Sequence, residues 1–258
     1  MYGSVQRARK PRSVPWCRMT ANEIPSTGVE PHPAASVVLL RDGTAGPEIL
    51  YLRRNPDLRF MGGYWVFPGG RVDAADYTKA PVGDLHGPAR QAAVREAAEE
   101  SGVHVNPTDL HLLCQWTTPT TSPIRFATWF FAALCPTDTV RIDGVEIHEH
   151  RWQRPEDALR AHQAQELKFA NPTFALSTRF SGHATARDIL AFVDTWPLER
   201  MLGRIHPIEG GRVALYAEDC GYESGAVDCP GPRHRIWMPA ALAVAGPKRW
   251  RTVVCGSQ

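Results

Sequence analysis

Ala34 to Arg41, AASVVLLR, is a short apolar, β-branched run followed by turn residues, the pattern of a buried strand. Asp42 to Pro47 supplies the turn, and Glu48 to Arg53, EILYLR, is the partner strand of a hairpin. A loop follows over Arg54 to Gly63, then a short strand over Tyr64 to Phe67 that ends on glycines. Gly87 to Val103, GPARQAAVREAAEESGV, predicts one short helix: Pro88 suits its first turn, Gly102 a left-handed stop, and the alanines between are strong helix formers. Further strands are predicted over Leu110 to Trp116, Phe126 to Leu134 and His148 to Gln153. Helices are predicted over Pro155 to Gln163, Pro172 to Phe180 and Thr185 to Thr195, with Pro197 closing the last. Val213 to Ala217 and Arg235 to Met238 read as late strands. The sum is a mixed sheet between helices over residues 31–155, followed by a C-terminal helical extension over 156–258.

The helix at 87–103 carries the most telling polar pattern. At ~100° per residue, Glu96 and Glu100 lie one above the other and Glu99 falls ~60° to one side. Three acids therefore share a face, and two bare carboxylates ~4 Å apart repel by a few kcal/mol at an effective dielectric of about 20. Splaying into water relieves that repulsion. So does a hard divalent cation, for which clustered oxygen ligands are the right chemistry. Spacing alone leaves both readings open.

Composition narrows the setting. The chain has 258 residues, 43% of them hydrophobic, enough for a sizeable core with one domain and an appendage. A net charge of +2 gives no electrostatic case for nucleic acid or a membrane as the main partner. No apolar run approaches the ~18 residues a span needs, and no signal peptide pattern appears. Residues 1–30 read as a disordered basic leader with Arg7, Arg9, Lys10, Arg12 and Arg18; an alternative is that Met19 is the true start. The six cysteines show no CxxC pair, and Cys114 and Cys135 sit in apolar runs, so a reducing, cytoplasmic setting is the default. Cys220, Cys229 and His234 match no common zinc spacing.

Arg95-Glu96-Ala97-Ala98-Glu99-Glu100-Ser101-Gly102-Val103 resembles the second half of the Nudix box, REUXEEXGU, in every fixed letter. Phe67-Pro68-Gly69-Gly70-Arg71-Val72-Asp73 resembles the FPGG start of its first half, GX5E. Two departures stand out. The GX5E acid falls on Asp76, a shorter side chain whose role the resemblance leaves open. Eighteen residues then precede Arg95 where the pattern has seven, so Tyr77 to Gly87, rich in turn formers, reads as an inserted loop.

The resemblance implies a Nudix-like α/β/α sandwich and a Mg²⁺- or Mn²⁺-dependent hydrolase of nucleoside diphosphate derivatives. It places Glu96, Glu99, Glu100, the Gly69 carbonyl and a later acid on the metal. Glu146 occupies the position where family members supply that acid, Glu149 is its competitor, and either is the expected general base. Arg95 is expected to orient a helix glutamate rather than touch substrate. Three smaller signatures concern substrate. Arg59, Gly63 and the FPGG loop fit half of the coenzyme A diphosphatase motif, although its upstream half is missing. Trp116-Thr117-Thr118-Pro119 and Pro123 to Phe131 resemble the WxTP…RFxTxFF segment of peroxisomal-type coenzyme A diphosphatases, which also carry an insertion inside the box. Pro119 also sits where ADP-ribose-cleaving members carry a marker proline. Coenzyme A is therefore the expected small-molecule nucleotide substrate and ADP-ribose or NADH the alternative; a nucleotide-sensing module without activity is the alternative of another class. Arg53, Arg54, Arg59, Arg71 and Arg125 are the basic residues placed to meet its phosphates. Whether the extension builds a substrate wall or a homodimer is left open.

Overall fold

The computed structural model describes residues 27–137, 139–240 and 250–254. The basic part of the expected leader, residues 1–26, lies outside the described residues, as do Cys17 and Cys255. Thr27 is tied down through its N–H and hydroxyl to the carbonyl of Thr120.

The centre is a mixed sheet in the order β3-β2-β1-β6-β5-β8, with β4 also paired to β1 and β7 to β2. Its strands are β1 (His32–Gly43), β2 (Gly46–Arg54), β3 (Trp65–Val66), β4 (Gly69–Arg71), β5 (His111–Thr117), β6 (Phe126–Leu134), β7 (Ile147–Gln153) and β8 (Glu199–Leu202). β1 runs antiparallel to β2 and parallel to β6. The buried strand read from AASVVLLR is buried on both faces, because alternate side chains enter two different cores. Ala35, Val37 and Leu39 meet the helix α2 (Gly87–Ser101), whose Ala89, Ala92, Ala93 and Ala97 let its backbone lie close to the sheet. Val38 and Leu40 face the other way, toward Phe174, Leu176, Phe180, Ile189 and Val193. Those residues come from α4 (Asn171–Phe180) and α5 (Ala186–Thr195), which with α3 (Pro155–Gln163) match the three helices expected after residue 155. Helices on both sides of a mixed sheet make the expected α/β/α sandwich.

The extension goes beyond helices. After α5 the chain adds β8 to the central sheet, parallel to β5. It then builds a second sheet, β12-β11-β10-β9, from β9 (Arg204–Ile208), β10 (Gly211–Leu215), β11 (His234–Pro239) and β12 (Arg251–Val254). Tyr216, just past β10, docks this sheet on the core: its ring lies edge-on to Trp116 at 5.2 Å and its hydroxyl accepts from Asn171 Nδ2 at 3.2 Å. Part of the expected inserted loop is also ordered differently. Ala74–Lys79 is a short helix, α1, closed by a capping box between Asp73 and Asp76. The rest of the insert stays irregular and exposes Val82 and Leu85. No helix among the described residues is long and apolar enough to cross a membrane.

Candidate active site

The glycine loop and α2 are brought together by β1. Gly69 and Gly70 pair with Ser36 and Ala35 at the end of β4, and α2 packs over the same stretch of β1. Both glycines are closely approached by their neighbours, Gly69 by backbone and Gly70 by a side chain. A Cβ on Gly69 would strike the backbone of Ala35 and Ser36, and one on Gly70 would strike the Glu96 carboxylate. The predicted helix end also holds: Gly102 takes φ 69° and its N–H caps Ala98.

The three glutamates do not share one environment. Glu100 falls on the buried face of α2, 4% exposed, where Oε2 accepts from the Gly69 N–H at 2.9 Å. Burial pushes its carboxyl up to about 8; the charges of Glu96 and Glu146 add to that, against the Gly69 N–H and Arg54. Glu96 is half-buried, and burial raises it as well, outweighing its bond to Arg95. Glu99 is exposed but held by Arg95 at 3.0 Å.

Arg95 is the hub. Its guanidinium donates to Glu96 at 2.8 Å, to Glu99 at 3.0 Å and to the Arg71 carbonyl at 2.8 Å. It also forks onto Asp76, at 3.3 Å to Oδ1 and 3.1 Å to Oδ2. Asp76 is 1% exposed, and Oδ2 also accepts from the Asp73 N–H at 2.8 Å. Asp76 therefore has a definite place: it anchors Arg95, and through it the loop and two of the glutamates. The α1 turn brings this shorter acid within reach.

Arg54 closes the other side. It lies on the α2 face of β2, 3.9 Å from Glu100 and 3.5 Å from Glu146, so Glu146 joins the cluster through it. Arg54 Nε is buried without a hydrogen-bond partner. Glu149 is not brought to the cluster. It pairs with Arg53 at 3.3 Å and with Arg151 at 2.7 Å, and the neighbouring residues Arg53 and Arg54 point to opposite faces of the sheet. Arg151 and Arg53 hold the Glu149 carboxyl below its ordinary range even though partial burial opposes them.

A family model for the NUDIX domain matches residues 30–172, more than half of the chain and the segment that contains every residue of this cluster. The chain belongs to the Nudix family. It is 29% identical over 184 residues to the putative nudix hydrolase 7 of Caenorhabditis elegans, covering 57% of this chain. It spans 60% of that relative's length. The crystal structure of a NUDIX hydrolase from Alicyclobacillus acidocaldarius superimposes with a TM-score of 0.60 at 25% identity, covering 66% of this chain and all of that one.

The helix acids and Arg95 lie beside the glycine loop. Gly69 donates its N–H to Glu100 alone, a contact separate from the metal role expected of its carbonyl. Arg125 is 8% exposed, and its guanidinium donates to the Thr118 carbonyl at 3.1 Å and the Val29 carbonyl at 2.6 Å. It braces the 118–125 loop rather than reaching for phosphate. Arg59 and Arg71 are exposed, Arg71 lying 3.2 Å from His32 Nδ1. Gly63 turns the 55–63 loop at φ 74°. Asp76 is the residue whose role the resemblance leaves open, and Arg54, expected among the phosphate-binding arginines, instead lies between Glu100 and Glu146. A D-x-x-D box at 73–76 was the available signal for the first; nothing local marked the second.

The donor set fits a hard divalent cation. All the acids are oxygen ligands, two have carboxyls raised by burial, and a cation would favour their ionised forms. Among the described residues the glutamate oxygens are drawn toward Arg95, Arg54 and Gly69 rather than gathered about one point.

Proposed function

We propose that this chain is a Mg²⁺- or Mn²⁺-dependent hydrolase that cleaves the diphosphate of a nucleoside diphosphate linked to another moiety. The single observation that carries this is Glu100, an acid buried against the glycine-loop amide with a raised carboxyl and two further acids beside it. An acid so placed destabilises the metal-free protein once ionised. That cost makes sense where a cation offsets it.

Glu96, Glu99, Glu100 and Glu146 would hold the metal, which when bound stabilises charge developing on the diphosphate and lowers the pKa of a water. Glu146 is the general base of choice, because Glu149 is committed to two arginines. Arg59 and Arg71, exposed at the loop, meet the phosphates, and Arg95 holds Glu96 and Glu99 in line. Water adds to phosphorus, the bridging P–O bond breaks, and Glu146 takes up the water's proton.

Coenzyme A or an acyl-coenzyme A is the preferred substrate, giving 3′,5′-ADP and a 4′-phosphopantetheine. The support is the Trp116 to Phe131 segment and the insertion within the box. A second reading, ADP-ribose or NADH, rests on Pro119. The test is a panel of coenzyme A, acyl-coenzyme A, ADP-ribose, NADH and nucleoside triphosphates with purified protein and Mg²⁺. Coenzyme A should be cleaved with kcat/KM at least about tenfold above ADP-ribose, a difference of about 1.4 kcal/mol in transition-state binding. The reverse order moves the substrate to ADP-ribose. Binding without cleavage of any member makes the chain a sensor instead.

A further inference from the structure

The late sheet carries a cluster of reactive side chains that the hydrolase reading does not use. Cys220 and Cys229 are bonded as a disulfide across the loop between β10 and β11, contrary to the reduced setting expected for the cysteines. Cys114, by contrast, is the buried thiol expected. Arg233 lies against the pair, with one guanidinium nitrogen 3.0 Å from Cys220 Sγ and 3.6 Å from Cys229 Sγ. Both cysteines are partly exposed.

The loop is held by contacts besides the bridge. Asp219 is buried, takes a bidentate pair from Arg235 at 2.6 and 2.7 Å, and accepts from the Gly221 and His234 N–H groups. The Val227 carbonyl accepts from Arg233 and Arg235, and the Tyr222 hydroxyl donates to the Leu202 carbonyl. Opening the disulfide therefore leaves its two sulfurs facing each other. The Asp219 carboxylate lies close to both sulfurs, a grouping that invites a metal reading. Its oxygens are already committed to Arg235 and backbone amides, and a cation there would face Arg233 as well. Thiol chemistry suits the site better.

We propose that Cys220 and Cys229 form an exchangeable dithiol–disulfide site, with Arg233 as the residue that stabilises the departing thiolate. A cation beside a sulfur favours its thiolate, and a better leaving thiolate is displaced faster. Because Arg233 sits nearer Cys220, attack falls on Cys229. A thiolate of a dithiol reductant bonds to Cys229 Sγ, the S–S bond breaks, and Cys220 leaves as thiolate beside Arg233. The second thiolate of the reductant then displaces Cys229 Sγ. The reductant leaves as its disulfide, two electrons pass to the protein, and the two cysteine sulfurs take up its two protons.

The test uses the full chain purified without reductant. Peptide mapping under non-reducing conditions should find the 220–229 link. Timed reduction with dithiothreitol, quenched by iodoacetamide, should be about fivefold slower in Arg233→Gln and within twofold of wild type in Arg233→Lys. Thermal melts establish that both variants fold. Should Arg233→Gln fail to fold, the wild type decides alone: in the reduced chain, limiting iodoacetamide should label Cys220 at least about threefold faster than Cys229. An absent link, an unchanged rate in a folded Arg233→Gln, the opposite labelling order, or stoichiometric zinc on the two reduced cysteines would each overturn the proposal.

Discussion

Glu100→Gln is expected to lower kcat at least ~10²-fold, about 2.7 kcal/mol of transition-state stabilisation, while the protein stays folded. Gln has the shape of the protonated acid and keeps an oxygen for the Gly69 N–H, so the loop contact survives. What it loses is the ability to ionise. The sign of the stability change separates this from general damage. A carboxyl raised to about 8 costs the metal-free fold stability as pH climbs from the ordinary carboxylate range to about 8. The metal-free Glu100→Gln variant should therefore melt above metal-free wild type at pH 8. Glu99→Gln should show a comparable loss of kcat without that gain, since Glu99 is exposed. Turnover near wild type in either variant, measured by steady-state kinetics, contradicts the assignment.

The second large effect belongs to Arg95. Arg95→Ala strands Asp76, a carboxylate 1% exposed whose guanidinium partner is removed, and losing one partner of a buried pair costs about 3–5 kcal/mol. It also frees Glu96 and Glu99, so activity should fall with stability. Pairing it with Asp76→Asn separates the two roles: the double variant should regain most of the stability and little of the activity. Arg95→Lys should keep the charge but lose turnover by about tenfold or more, because one ammonium cannot reach Asp76, Glu96, Glu99 and the Arg71 carbonyl together. Denaturant melts and kcat on the same four proteins check this. A double variant that recovers activity along with stability would reduce Arg95 to a structural role.

The hairpin at 34–53 and the acid-bearing helix were legible because their patterns are local. A doubly buried strand is apolar throughout, and α2 is bracketed by Pro88 and Gly102. The face assignment of the glutamates was legible too. Their unequal burial was not, since it depends on where β1 and the glycine loop sit. Arg125 shows the limit for charged residues: sequence cannot distinguish an arginine reaching for a phosphate from one closing on two carbonyls. Glu146 and Glu149 were separable only once their partners were known, because Arg54 and Arg53 are adjacent in β2 and point to opposite faces. The late sheet escaped in part because its strands are short, with Pro207 inside β9.

The most direct measurement is Mn²⁺ affinity of the full chain by calorimetry between pH 6 and 9, alongside Glu100→Gln. Below about 8 the metal must displace a proton from Glu100. Affinity should therefore rise with pH up to about 8 with release of a proton, and the variant should bind more weakly with a flatter profile. Binding that ignores pH in this range, or that Glu100→Gln leaves unchanged, would contradict a cation held by this helix.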